Sequence, residues 1–123
     1  MFIFKWLNVS VLVFILTSCG KPTPVLENFD SQKWKDDRQA CLKFRTGMAE
    51  DLIKQKQKLL SLSEMEIVEV LGKPDQSELF TRNQKFYYYF VQPSTECAAE
   101  NTNAERLVIR FNAVGLAKEI QIQ

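Results

Sequence analysis

Cysteine and carboxylate are the side chains through which this sequence could do chemistry, because histidine is absent from it. Without histidine, general acid–base catalysis and transition-metal binding lose their commonest group. Three cysteines occur, Cys19, Cys41 and Cys97. No two of them form the Cys-x-x-Cys spacing that lowers a thiol pKa for disulfide exchange. Asp36, Asp37 and Glu50 lie among lysines in a stretch of helical period, where mixed charge reads as a solvated face. No catalytic residue, metal ligand or cofactor motif is expected, and the role expected is non-enzymatic. The charge balance, 16 basic against 15 acidic residues for a net +1, lacks the basic excess of a nucleic-acid binder.

Position along the chain makes the first cysteine informative. Residues 1–19 have the layout of an export signal. Lys5 sits in a short N-terminal region, an apolar run over 7–16 is interrupted by Asn8 and Ser10, and Leu16-Thr17-Ser18-Cys19 follows. The run falls short of the roughly 20 apolar residues that a membrane span needs. The last four residues resemble the bacterial lipoprotein signal box, a leucine followed by two small residues and cysteine. That resemblance implies that residues 1–18 are a signal peptide, that the Cys19 thiol carries a diacylglycerol, and that its freed amine is acylated by a chain such as palmitate. Two or three chains anchor a protein stably where one does not. Residues 19–28, with Pro22 and Pro24, read as a lipidated tether, and 29–123 as a single domain. No acidic run follows the cysteine, so the expected place is the bacterial cell envelope, at the outer membrane facing the periplasm.

With Cys19 assigned to lipid, Cys41 and Cys97 remain as an even pair in an exported chain. A disulfide between them would close a loop of about 57 residues, for which chain entropy gives about 4 kcal/mol. Two inert thiols or a redox pair are the alternatives.

The elements that must place these residues follow from hydrophobic period. Asp30 or Ser31 caps a helical pattern. Trp34, Arg38, Cys41, Phe44 or Arg45, Met48, Leu52, Gln55 and Leu59 then recur at three- and four-residue steps. This predicts one long helix to about residue 60, with Cys41 on its inner stripe. Gly47 inside it marks a close crossing or a kink. The lysines of 54–58 favour the helix macrodipole there and could meet anionic lipid heads. Residues 61–75 encode a short helix with both ends: Ser63 as N-cap, Glu66 completing a capping box, Leu62 and Ile67 as a hydrophobic staple, Gly72 as C-cap and Pro74 as the stop.

Strands follow. A short one is expected over 78–81, turned by Arg82-Asn83-Gln84. Residues 85–91 carry the strongest β signal, with Phe86, Tyr88 and Phe90 on one face and Tyr87, Tyr89 and Val91 on the other. Leu107, Ile109 and Phe111 alternate with Arg106, Val108 and Arg110, and 112–115 is a hairpin turn. Leu116, Ile120 and Ile122 alternate with Ala117, Glu119 and Gln121, and Lys118 is the one break on the apolar side. The expected fold is α+β, with two helices, one long and one short, packed on one face of an antiparallel sheet of three to four strands. Tyr87, Tyr89, Val108 and Arg110 are expected on the uncovered face as partner-binding residues, since tyrosine and arginine are enriched at hot spots. Simple cross-strand stabilisation is the plainer reading.

These features combine. The lipoprotein box, the proline-containing tether, the capped helix ending Leu71-Gly72-Lys73-Pro74-Asp75, the aromatic strand and a Leu-x-Ile-x-Phe-Asn-x-x-Gly hairpin over 107–115 together resemble the SmpA/OmlA (BamE-like) family of small outer-membrane lipoproteins. That family's two-layer α+β fold is shared with β-lactamase-inhibitor-type domains. The resemblance covers 61–123 and implies an accessory to outer-membrane protein assembly or envelope integrity. Such an accessory is held to the membrane by its lipid and bound to another envelope protein, with no nucleic-acid partner. The long first helix and the Cys41/Cys97 pair lie outside that family's pattern. The alternative is a periplasmic protein-binding or inhibitor module with an unrelated partner.

Overall fold

The computed structural model describes residues 22–97 and 102–123. Cys19 and the signal segment lie outside the described residues. Three helices, α1 (Ser31–Asp36), α2 (Phe44–Lys54) and α3 (Glu64–Leu71), precede four strands, β1 (Gln76–Leu79), β2 (Lys85–Phe90), β3 (Arg106–Phe111) and β4 (Ala117–Ile122). The strands pair antiparallel in the order β1-β2-β3-β4. Helical Trp34, Leu52, Ile67, Val70 and Leu71 share one core with Tyr89, Leu107, Ile109, Phe111 and Ile120 of the sheet. The fold is α+β, with helices on one face of a four-stranded sheet.

The long first helix expected from the period is two helices. The chain leaves helical geometry at Asp37 and re-enters it at Phe44, with Gln39, Ala40 and Lys43 at positive φ. Buried polar groups account for the break. In an unbroken helix residues 34 and 45 would lie about 16 Å apart along the axis, yet Arg45 Nε donates to the Trp34 carbonyl at 2.9 Å. Asp37, read as solvated, is fully buried. Its carboxylate accepts from the Leu42 and Arg45 amides at 2.7 and 3.0 Å, the second being one of the unpaired donors at the start of α2. Cys41 lies in this break, exposed, and not on an inner helical stripe. It is disulfide-bonded to Cys97, with Cα atoms 5.3 Å apart, and the Ser94 amide donates to the Gln39 carbonyl beside it at 3.1 Å. The break is thereby fastened to the β2–β3 connection. A helix of 6 residues cannot persist by itself. α1 is held by Trp34, fully buried between Phe29 and Tyr89.

α3 follows its local signals. Ser63 Oγ accepts from the Glu66 amide at 3.2 Å, and Glu66 Oε1 accepts from the Ser63 amide at 3.1 Å. Gly72 ends the helix at φ 78° and donates to the Val68 carbonyl at 2.8 Å, a conformation that glycine adopts without a Cβ penalty. Gly47 marks neither a crossing nor a kink: an added Cβ would meet nothing within 4 Å, and α2 runs straight through it.

Register decides which strand residues face the helices. Tyr87 lies opposite Ile109 and Tyr89 opposite Leu107, whereas Phe86 lies opposite Arg110 and Tyr88 opposite Val108. The first set faces the helices. Lys118 ceases to be an anomaly because the β3–β4 ladder runs from Arg110↔Glu119 to Phe111↔Ala117. Lys118 is the extra residue of a β-bulge. The bulge turns Ala117 fully into the core and leaves Lys118 exposed. The Ala117 amide donates to the Leu62 carbonyl and its carbonyl accepts from the Ser61 amide, at 2.9 and 2.8 Å, which joins β4 to the entry of α3.

The described part of the tether, 22–28, is packed on the helices. Thr23 Oγ1 donates to Glu69 at 2.7 Å. Leu26 is buried in the core cluster. The Glu27 amide donates to the Gln55 side chain and the Glu27 carbonyl accepts from it, at 2.7 and 2.6 Å.

Candidate protein-docking groove

Of the four residues expected on an open binding face, Val108 and Arg110 lie on that side of the sheet, Val108 buried at 4% exposure among its neighbours, and Tyr87 and Tyr89 do not. Tyr89 is fully buried against Trp34 and donates to the Gly72 carbonyl at 2.8 Å. Burial pushes its phenol pKa up. Tyr87 meets Phe111 edge-on at 4.8 Å and donates to Glu64 at 2.8 Å. Alternation fixes which residues share a face, but the greater hydropathy of phenylalanine chose the wrong face as covered. Tyrosine is at home under the helices because each hydroxyl finds an acceptor there.

The open face is made of groups already paired with one another. Arg106 lies over the Tyr88 ring at 4.1 Å and donates to Gln76 at 2.9 Å. Tyr88 donates to Glu78 at 3.1 Å, and Arg110 pairs with Glu119 at 3.0 Å. Phe86 sits between Phe80 and Tyr88. Such pairs stabilise a sheet surface and leave few polar groups for a partner.

A buried ionic cluster, absent from the sequence reading, lies under the helix break. Arg45 Nη1 meets Asp75 Oδ2 at 2.6 Å with both side chains fully buried, and Arg38 reaches Asp75 Oδ1 at 3.5 Å. Asp75 also accepts from the Gln39 and Phe90 amides at 3.2 and 2.9 Å. The Arg45 guanidinium lies 5.0 Å from the Trp34 ring. Each carboxylate here is filled by backbone and guanidinium donors, the geometry of a structural knot and not of a poised acid or base.

An apolar groove of about 410 Å³ opens between α2 and β4, lined chiefly by Thr46, Ala49, Ile53, Val91, Ile120 and Ile122. Small residues on this flank of α2 create the width. Thr46 hydroxyl donates to the Val91 carbonyl at 2.6 Å and fixes the groove at one end. β4 is an edge strand. Arg106 and Gln123 exchange both backbone bonds, at 2.8 and 3.0 Å. By antiparallel alternation the backbone groups of Ile120 and Ile122 therefore point away from β3, along the groove. Lys56 Nζ covers the Ile120 carbonyl at 3.3 Å. The Ile120 amide and both Ile122 groups have no partner among the described residues. The sequence held one signal for this place, isoleucine on the alternate positions 120 and 122.

At the opposite, hairpin end, Glu64 Oε1 accepts from Lys85 and Tyr87, each at 2.8 Å. The Lys85 hydrogen bond holds the Glu64 carboxyl below its ordinary value, against the opposing effect of burial. Burial first, and then donation to Glu64, push Tyr87 up to about 12. Among the described residues no group of three His, Cys, Asp or Glu side chains could hold a metal ion, and no helix is long and apolar enough to cross a membrane. Compared with family models, curated proteins and solved structures, the chain matches none.

Proposed function

We propose that the protein is a non-enzymatic, membrane-anchored lipoprotein of the bacterial cell envelope that holds an extended segment of another envelope protein in the α2–β4 groove. The observation that carries this reading is an apolar groove running beside the β4 edge, where the Ile120 amide and both Ile122 backbone groups have no partner among the described residues. Strand addition uses this arrangement, with main-chain bonds for affinity and pockets for alternate side chains for selectivity. The lipid on Cys19 sets location. The Cys41–Cys97 bond and the Arg45–Asp75 pair keep the groove pre-formed, so binding orders little besides the incoming segment.

The resemblance of 61–123 to the SmpA/OmlA family supports a narrower form, an accessory to outer-membrane protein assembly at the periplasmic side of the outer membrane. The disulfide, foreign to that family's pattern, favours the second reading of a periplasmic protein-binding or inhibitor module with an unrelated partner. Both are tested by placing a photo-crosslinking side chain at Glu50, on the exposed flank of α2, in the full-length protein in native membranes. The expected result is one discrete envelope protein, captured from Glu50 and lost when Ile53→Arg fills the groove. Barrel-assembly components as the captured species select the narrower form. Equal capture from a crosslinker at Glu78, on the open face, overturns the groove.

A further inference from the structure

The described tether fixes more than a point of attachment. Thr23 is hydrogen-bonded to Glu69 on the outer side of α3, and Leu26, three residues on, is buried. Between Cys19 and Thr23 the chain spans at most about 14 Å. A domain of about 100 residues is roughly 30 Å across. A lipid on Cys19 therefore cannot reach around the domain, and the side that carries Glu69 must lie nearest the bilayer. That side is apolar where it would meet lipid. Met65, one helical turn before Glu69, is 78% exposed, and it lines a shallow depression with Val68 and the Tyr87 ring. Glu64 joins this depression to a neighbouring one that contains Leu79 and Val114, exposed by 70% and 77%.

Resting on the lipoprotein reading of Cys19, we infer that the outer face of α3, with Met65, Val68 and the Leu79/Val114 hairpin tips, sits on the bilayer surface, and that the docked tether holds it there. Charge sets the kind of surface. Glu64 is paired with Lys85, and Glu69 accepts from the uncharged Thr23 hydroxyl. The face carries no basic excess, so it is suited to apolar insertion at the headgroup boundary and not to selection of anionic lipid. The open face of the sheet then points away from the membrane, and the α2–β4 groove lies at its side, reachable from the periplasm.

Tryptophan quenching tests this. The mature chain's own Trp34 is fully buried. The full-length lipidated protein is purified as Met65→Trp and, separately, as Gln121→Trp, and each is placed in phosphatidylethanolamine vesicles with brominated acyl chains. Intact mass is read first. A protein without the diacylglycerol on Cys19 overturns both the lipoprotein reading and this orientation. For lipidated protein, the expected result is a loss of about half the added fluorescence in Met65→Trp, none in Gln121→Trp, and the same difference when phosphatidylglycerol is included. Equal quenching at the two positions, or stronger quenching at Gln121, overturns the orientation and leaves the anchor standing. A Leu26→Ser variant, which frees the tether from the core, is expected to bring the two positions toward equality.

Discussion

At the end of the sheet where the helix breaks, polar groups are buried and shared; at the end where the hairpins turn, they stand in solvent. The first end joins Asp37, Arg45 and Asp75 under a disulfide, and nearly every donor and acceptor there serves two elements at once. The second end is held by the Ser63 capping box and a half-exposed Glu64–Lys85–Tyr87 group, and it shows Met65, Leu79, Phe80 and Val114 to the surroundings. Buried charge that is paired and bonded to several elements fixes shape, and removing one partner is expensive. Charge near water contributes little to shape and leaves the surface free for contact. The molecule separates the two tasks by position.

That contrast can be broken by mutation. Asp75→Asn leaves the fully buried Arg45 without its counter-ion and is expected to cost about 3–5 kcal/mol. Glu64→Gln at the other end is expected to cost at most about 1 kcal/mol. Urea unfolding of the two variants measures both, and similar losses would remove the distinction between the ends. Next in size is the disulfide. Replacing Cys41 and Cys97 by serine releases a loop spanning 56 positions and is expected to lower stability by up to about 4 kcal/mol. Amide exchange should rise in 37–43 and around Ser94 while 63–71 keeps its protection; a uniform rise would show that the bond holds the whole domain and not one end.

The smallest effect is one of pH. Tyr87 holds its proton more tightly when folded, its pKa pushed to about 12 from the ordinary 10.0. Its contribution is complete below pH 10 and is lost as pH rises toward 12. Glu64 is shifted the other way, so its contribution is present above the ordinary value of 4.5 and is lost as pH falls below it. Melting temperatures across both ranges should show a smaller alkaline loss in Tyr87→Phe than in the parent. An unchanged alkaline loss would assign it to Tyr88 and Tyr89, which burial also shifts upward.

What could be read from sequence was local. The cap at Ser63, the stop at Gly72 and the turn at 112–115 depend on residues within one or two turns of each other, and the structure has each where the sequence put it. The helix break was hidden because Trp34, Arg38, Cys41 and Arg45 keep helical spacing across it. What interrupts that spacing is a contact between Arg45 and Asp75, which are 30 positions apart. Asp37 was misplaced for a related reason: charge implies solvent unless its buried partners are known. The β2 alternation was right and its phase wrong, since only the helices decide which face is covered. The groove was out of sight because its two walls, α2 and β4, come from opposite parts of the chain.

Among the described residues helices come first, over 31–71, and strands after, over 76–122, and each strand pairs only with its sequence neighbours. Synthesis runs the other way from what the core needs. Trp34, Leu52 and Ile67 are made before any strand that covers them, and Ala117, whose two backbone bonds close the entry to α3, comes near the end. At about 5–20 residues per second the ribosome takes on the order of several seconds to supply the whole sheet. During that interval the nascent helices carry an apolar stripe with nothing to cover it.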